Sequence, residues 1–134
     1  MAIITTNKNR TYSDLDLNFT AHPIRKDINK VTNELAVINA VKNLILTNHY
    51  ERPFRPDLGS NLRKMLFEPM DKISSATIER ELYQVLTNYE PRITVNSLIL
   101  DPNYDKNGYD VSLQFTINNT TNPIAITFFL SRVR

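Results

Sequence analysis

Apolar residues change their spacing along the chain, and each change marks an element. Residues 1–30 are polar, with scattered apolar positions at Tyr12, Leu15, Leu17, Phe19, Ile24 and Ile28. Leu15 and Leu17 alternate with Asp14 and Asp16, so this stretch is expected as an extended arm with one or two short strands. From Leu35 the spacing becomes helical, through Ile38, Val41 and Ile45, with Val37 and Leu44 widening the stripe. Thr32 or Asn33 is placed to cap this helix, and Glu34 to complement its dipole. It should stop near Thr47. Pro53 and Pro56 force an ordered, irregular crossover over residues 51–57. Ser60 can then cap a short helix carrying Leu62, Met65 and Leu66. A longer helix from Ser74 or Ser75 places Ile78, Leu82, Val85, Leu86 and Tyr89 on one face, and Pro91 ends it after Glu90.

The last third alternates with period 2. Ile93 to Leu100 reads as a strand bounded by Asp101 and Pro102. Tyr109, Val111, Leu113, Phe115 and Ile117 form a second strand, and Ile124, Ile126, Phe128 and Leu130 a third after a turn at residues 118–123. Three consecutive strands with short links predict an antiparallel meander, covered by two main helices and one short helix. The N-terminal strands are candidates to extend it. The class is α+β: a single domain over residues 31–134, behind an arm of residues 1–30. The third strand carries no charge from Ile124 to Ser131, and Phe129 lies on the face opposite Phe128. At a sheet edge it would be a template for strand addition; the alternative is burial by the N-terminal arm.

Composition narrows the chemistry. Apolar residues make up 41% and charged residues 22%, which is ordinary globular usage. Sixteen Lys and Arg against fourteen Asp and Glu leave a formal charge of +2, too little for a nucleic-acid-coating surface. The absence of cysteine excludes a Cys nucleophile, a disulfide scaffold and a Cys-ligated metal centre. The first ten residues lack a signal-peptide core, and no apolar run approaches the roughly 18 residues that cross a bilayer. A soluble chain made in a cytoplasm is expected.

Catalytic constellations are equally scarce. His22 and His49 show no metal-ligand spacing and read as solvated or hydrogen-bonded loop residues. Gly59 and Gly108 are the only glycines and stand too far apart for a phosphate-cradling loop. Asn103, Asp105, Asn107, Gly108 and Gln114 imitate a calcium loop, but strand-like flanks make Asn107-Gly108 a hairpin turn. Glu51, Glu68 and Glu90 each neighbour a proline or arginine. A glycosidase would need two carboxylates about 5–10 Å apart, whereas adjacent Arg52 and Arg92 favour structural ion pairing. No cofactor, metal or catalytic residue is expected.

Four segments, in order, carry more information: Leu44-Ile-Leu-Thr47, Glu51-Arg-Pro-Phe-Arg-Pro-Asp-Leu-Gly59, Leu66-Phe-Glu-Pro69 and Asn88-Tyr-Glu-Pro-Arg-Ile93. Their order and spacing resemble the baseplate wedge family of contractile phage tails, the GPW or gene-twenty-five-like family, also called sheath initiators. The resemblance covers roughly residues 30–131. Its motif positions are Glu51, Arg52, Pro53, Phe54, Pro56, Gly59, Phe67, Glu68 and Pro69. Family members usually have Gly before Glu-Arg-Pro, where this chain has Tyr50; a positive φ there would strain tyrosine.

The resemblance implies a structural component of the virion tail baseplate, assembled in the host cytoplasm, with six copies per baseplate and a monomer in isolation. It implies that Glu90, Pro91 and Arg92 contact the helical core bundle of other wedge subunits; the alternative is that Glu90 and Arg92 only brace the domain's own helix–strand corner. It further implies that tail sheath protein arms extend the sheet by strand addition, with Ile124, Ile126, Thr127, Phe128, Phe129 and Leu130 as the receiving strand. The tail tube is a further candidate partner, and neither nucleic acid nor membrane is expected. Some family members have carried a lysozyme label, so a peptidoglycan-degrading enzyme is the rival reading. An adaptor of a non-phage contractile injection system is a third.

Overall fold

The computed structural model describes residues 12–132, so the first part of the expected arm lies outside the described residues. The chain divides into two compact units, Met1–Asn39 and Ala40–Arg134.

In the first unit, β1 (Ser13–Leu15) pairs antiparallel with β2 (Lys30–Thr32), Asp14 opposite Val31. An Ala21–Ile28 bridge continues the return. Asp16 holds the bend: its carboxylate accepts from the Asn18 N–H at 3.0 Å and from the Thr20 hydroxyl, which together keep its pKa below the usual range. The described part of the expected arm is thus a hairpin folded on itself. Its strands form a separate two-stranded sheet and do not extend the meander, contrary to that expectation. His22 has a loop role, its Nδ1 accepting from the Ile24 and Arg25 N–H groups.

Helix α1 (Glu34–Leu46) runs across the division between the units. Asn33 precedes it at φ 54°, its carbonyl accepting from the Val37 N–H. The buried stripe is Ala36, Val37, Val41, Leu44 and Ile45, while Leu35 is 61% exposed. The expected stripe through Leu35 and Ile38 is therefore rotated, because this helix has apolar residues on more than one face.

The second unit holds α2 (Leu62–Met65), α3 (Lys72–Tyr89) and a three-stranded antiparallel sheet of β3 (Ile93–Asn103), β4 (Gly108–Ile117) and β5 (Pro123–Ser131), in that spatial order. Asp71 caps α3 by accepting from the Ser74 N–H at 2.6 Å, so the helix begins earlier than Ser74. That bond also holds the Asp71 carboxyl below its ordinary pKa. Ile78, Leu82, Val85 and Leu86 are buried, and α3 packs on β3. Tyr109, Val111, Leu113, Phe115 and Ile117 of β4 fill the core opposite Ile124, Ile126, Phe128 and Leu130 of β5.

Strand β3 departs from its expected bounds in two ways. It continues through Pro102, which pairs with Tyr109, to Asn103. Proline is tolerated because β3 is an edge strand. Asn96 is an extra residue between Val95, opposite Phe115, and Ser97, opposite Gln114. The bulge shifts the inward positions from Ile93 to Leu98 and Leu100. The following turn has Asn107 at φ 52°, and the Asn103 side chain caps the Lys106 N–H and bonds Asp110. Hairpin strands therefore flank the calcium-like pattern.

Candidate functional site

The corner between α3 and β3 is built by Glu90, Pro91 and Arg92. Pro91 stops the helix, leaving Glu90 at φ −123° and ψ 78° with its N–H still bonded to Leu86. Two residues on, the Arg92 guanidinium reaches back to the same carboxylate, Nε to Oε1 at 2.6 Å and Nη2 to Oε2 at 2.8 Å. The Glu90 side chain is 7% exposed and that of Arg92 32%. Both carboxylate oxygens therefore accept from one planar fork, the strongest geometry for such a pair. Asn118 clamps the corner from the β4–β5 turn. Its N–H donates to the Arg92 carbonyl at 3.0 Å and its Nδ2 to the Pro91 carbonyl at 2.7 Å.

The Glu51-to-Gly59 segment forms a loop whose ends meet. Ser60 donates to the Thr47 carbonyl at 2.9 Å, and Asn48 bridges to Ser60. Gly59 sits at φ 117°, where a Cβ would stand 2.6 Å from the Thr47 oxygen, so only glycine fits. The Glu51 carboxylate accepts from the Asn48 N–H at 2.9 Å, and the Tyr50 N–H donates to Pro56 at 3.0 Å. Tyr50 has φ 66°, the left-handed conformation that favours glycine. The Tyr89 hydroxyl, at the end of α3, donates to the Asp57 carbonyl at 2.6 Å. Phe54 stands 97% exposed at the tip, with Arg52 and Arg55 exposed beside it.

Folding brings the four separated segments together. Thr47 meets Ser60 just past Gly59, and Tyr89 meets Asp57. Phe67 lines a groove with Asn48, His49 and Tyr50, while Glu68 and Pro69 are exposed in the following link. The spacing of residues does not reveal the roles of Asn118 and Tyr89, whose contacts lie 27 and 32 residues away along the chain. The signal for the corner in the sequence is the run Glu90-Pro91-Arg92, a helix-ending proline between opposite charges.

Strand β5 is bonded to β4 alone among the described residues. The Arg132 N–H donates to the Asn107 carbonyl, and at the sheet's other end the Asn118 N–H donates to Arg92. Alternation from these two anchors turns the N–H groups of Ile124, Ile126, Phe128 and Leu130 towards β4. Those of Ala125, Thr127 and Phe129 point away from it. Beside this edge a groove of about 230 Å³ is lined by Ile45, Leu46, Leu62, Leu66, Phe129 and Leu130 together with the polar Asn48, Arg63 and Ser131.

A buried ion-paired corner, a pinned loop with an exposed aromatic and a β5 edge unpaired among the described residues are features suited to contacts between proteins. The sequence profile of the family described as baseplate wedge protein gp25 matches residues 31–122. The chain belongs to that family. It is 32% identical over 111 residues to baseplate wedge protein gp25 of Enterobacteria phage T4, covering 83% of each chain. A candidate tail lysozyme from Geobacter sulfurreducens has a similar fold, with a TM-score of 0.70 at 20% identity over 75% of this chain and 92% of that one. A chain of the anti-feeding prophage baseplate gives a TM-score of 0.64 at 15% identity, covering 92% of this chain and 87% of that one. A chain of the pyocin R2 baseplate after contraction gives 0.55 at 17% identity, covering 90% and 100%.

Proposed function

We propose that this protein is a structural, non-enzymatic part of a contractile tail baseplate that joins wedge subunits and starts sheath assembly by lending its β5 edge to sheath strands. Family membership supports the baseplate role. The uncharged β5 edge, which has no second strand partner among the described residues and lies beside a groove of mixed polar and apolar lining, supports the strand-sharing role. An added strand would find the outward N–H groups of Ala125, Thr127 and Phe129 on one side, and the groove would receive its inward side chains. The Glu90-Pro91-Arg92 corner serves as the wedge contact: Pro91 is exposed, and the ion pair holds both side chains in one orientation. Glu51 and Glu90 spend their carboxylates on Asn48 and Arg92, which weighs against a glycosidase. Partners under this reading are the sheath protein, other wedge subunits and the tail tube. Assembly takes place in the host cytoplasm, with six copies per baseplate.

Electron microscopy of tubes mixed with this protein and its sheath protein tests the proposal. Thr127→Pro removes an outward N–H and leaves the β4–β5 ladder intact, so the variant should fold but fail to seed sheath. Phe128→Pro breaks the ladder itself and should lower thermal stability. Seeding by Thr127→Pro at the wild-type rate would overturn strand sharing at β5.

A further inference from the structure

A second groove, of about 390 Å³, lies between residues 48–50 and α2. Tyr50, 85% exposed, and Phe67, 54% exposed, contribute its apolar surface. Arg63 and Lys64 line it as well, and neither forms an ion pair among the described residues. Of the neighbouring carboxylates, Glu81 accepts from the Asn61 N–H at 3.2 Å and stands 4.0 Å from His49 Nε2, Glu51 accepts from the Asn48 N–H at 2.9 Å, and exposed Glu68 forms no ion pair among the described residues. The groove therefore joins exposed aromatic surface to two cations that have no ion-pair partner among the described residues.

We infer that this groove docks an extended acidic segment, with apolar residues between its carboxylates, from a neighbouring protein of the baseplate; the inference rests on the baseplate reading. Carboxylates would pair with Arg63 and Lys64 while the intervening apolar side chains cover Tyr50 and Phe67. Complementary charge fixes the register of such a segment and excludes basic ones. Nucleic acid fits less well, because a phosphate backbone needs a long basic stripe and the whole chain carries only +2. The pinned loop also supports docking. Tyr50 is held by its bond to Pro56, so its ring is presented without the entropy cost of ordering a free loop.

The experiment uses assembled tails in which Phe67 is replaced by benzoylphenylalanine, irradiated and analysed by mass spectrometry. Phe67 should crosslink to one protein segment rich in Asp and Glu. Arg63→Glu combined with Lys64→Glu should cut the yield roughly tenfold, while circular dichroism shows a folded chain. Lys64→Glu alone should give a smaller loss, and it serves if the double variant does not fold. A crosslink to a basic or uncharged segment or to nucleic acid, or an undiminished yield in a folded variant, would overturn the inference. So would the absence of any crosslink in tails that contain the chain. Tails that lack the chain altogether would instead remove the baseplate reading, and the docking with it.

Discussion

Tyr50 holds a conformation that glycine adopts more readily, at φ 66°. A left-handed backbone costs a non-glycine residue about 1–2 kcal/mol, and glycine returns roughly 0.5–1 of that through its freer unfolded state. Tyr50→Gly should therefore gain about 0.5 kcal/mol and raise the melting temperature by roughly 2 °C, checked by thermal denaturation. The same change removes an aromatic from the groove beside α2, so stability and docking should move in opposite directions. The strain was anticipated only because the motif usually has glycine there. Composition and periodicity are silent on the φ of a single residue. Phe54 is the converse case. Its position between two prolines was legible, but its near-complete exposure was not, because local spacing does not encode the burial of a single loop residue.

Among the elements, the most legible were those whose spacing had one reading. The buried face of α3 and the alternation of β4 and β5 follow directly from Ile78 to Leu86 and from Tyr109 to Leu130. Strand β3 was legible only to Leu100. Pro102 looks like a stop unless the strand is known to be an edge, and the Asn96 bulge breaks period 2 where continuity is assumed. The corner after α3 shows how an element boundary carries energy. Arg92→Ala leaves a buried carboxylate without its partner, costing about 3 kcal/mol; the low end of the range is appropriate because Arg92 is partly exposed. Urea denaturation should show this loss. Replacing both residues, Glu90→Met with Arg92→Met, should recover most of it because no charge is stranded. If the corner is also the wedge contact, the double variant will be stable yet absent from wedge complexes. If it only braces the fold, the double variant will assemble normally.

At the scale of the whole molecule, the small net charge and the uncharged β5 edge act together. Little long-range repulsion keeps copies apart, and one strand offers a row of backbone groups that are unpaired among the described residues. Sedimentation velocity should find a monomer at micromolar concentration and reversible association towards millimolar. Thr127→Lys places a charge on the exposed edge and should keep the chain monomeric throughout. The opposite margin of the sheet is different. Strand β3 carries both the Asn96 bulge and Pro102, the two devices that blunt an edge. Under the strand-sharing proposal the sheet would have a valence of one, accepting a strand at β5 while the bulge and proline of β3 disfavour a second addition there. On that proposal a copy would act as a seed with a terminated back end, and repetition of the same contact would not run away into a fibre.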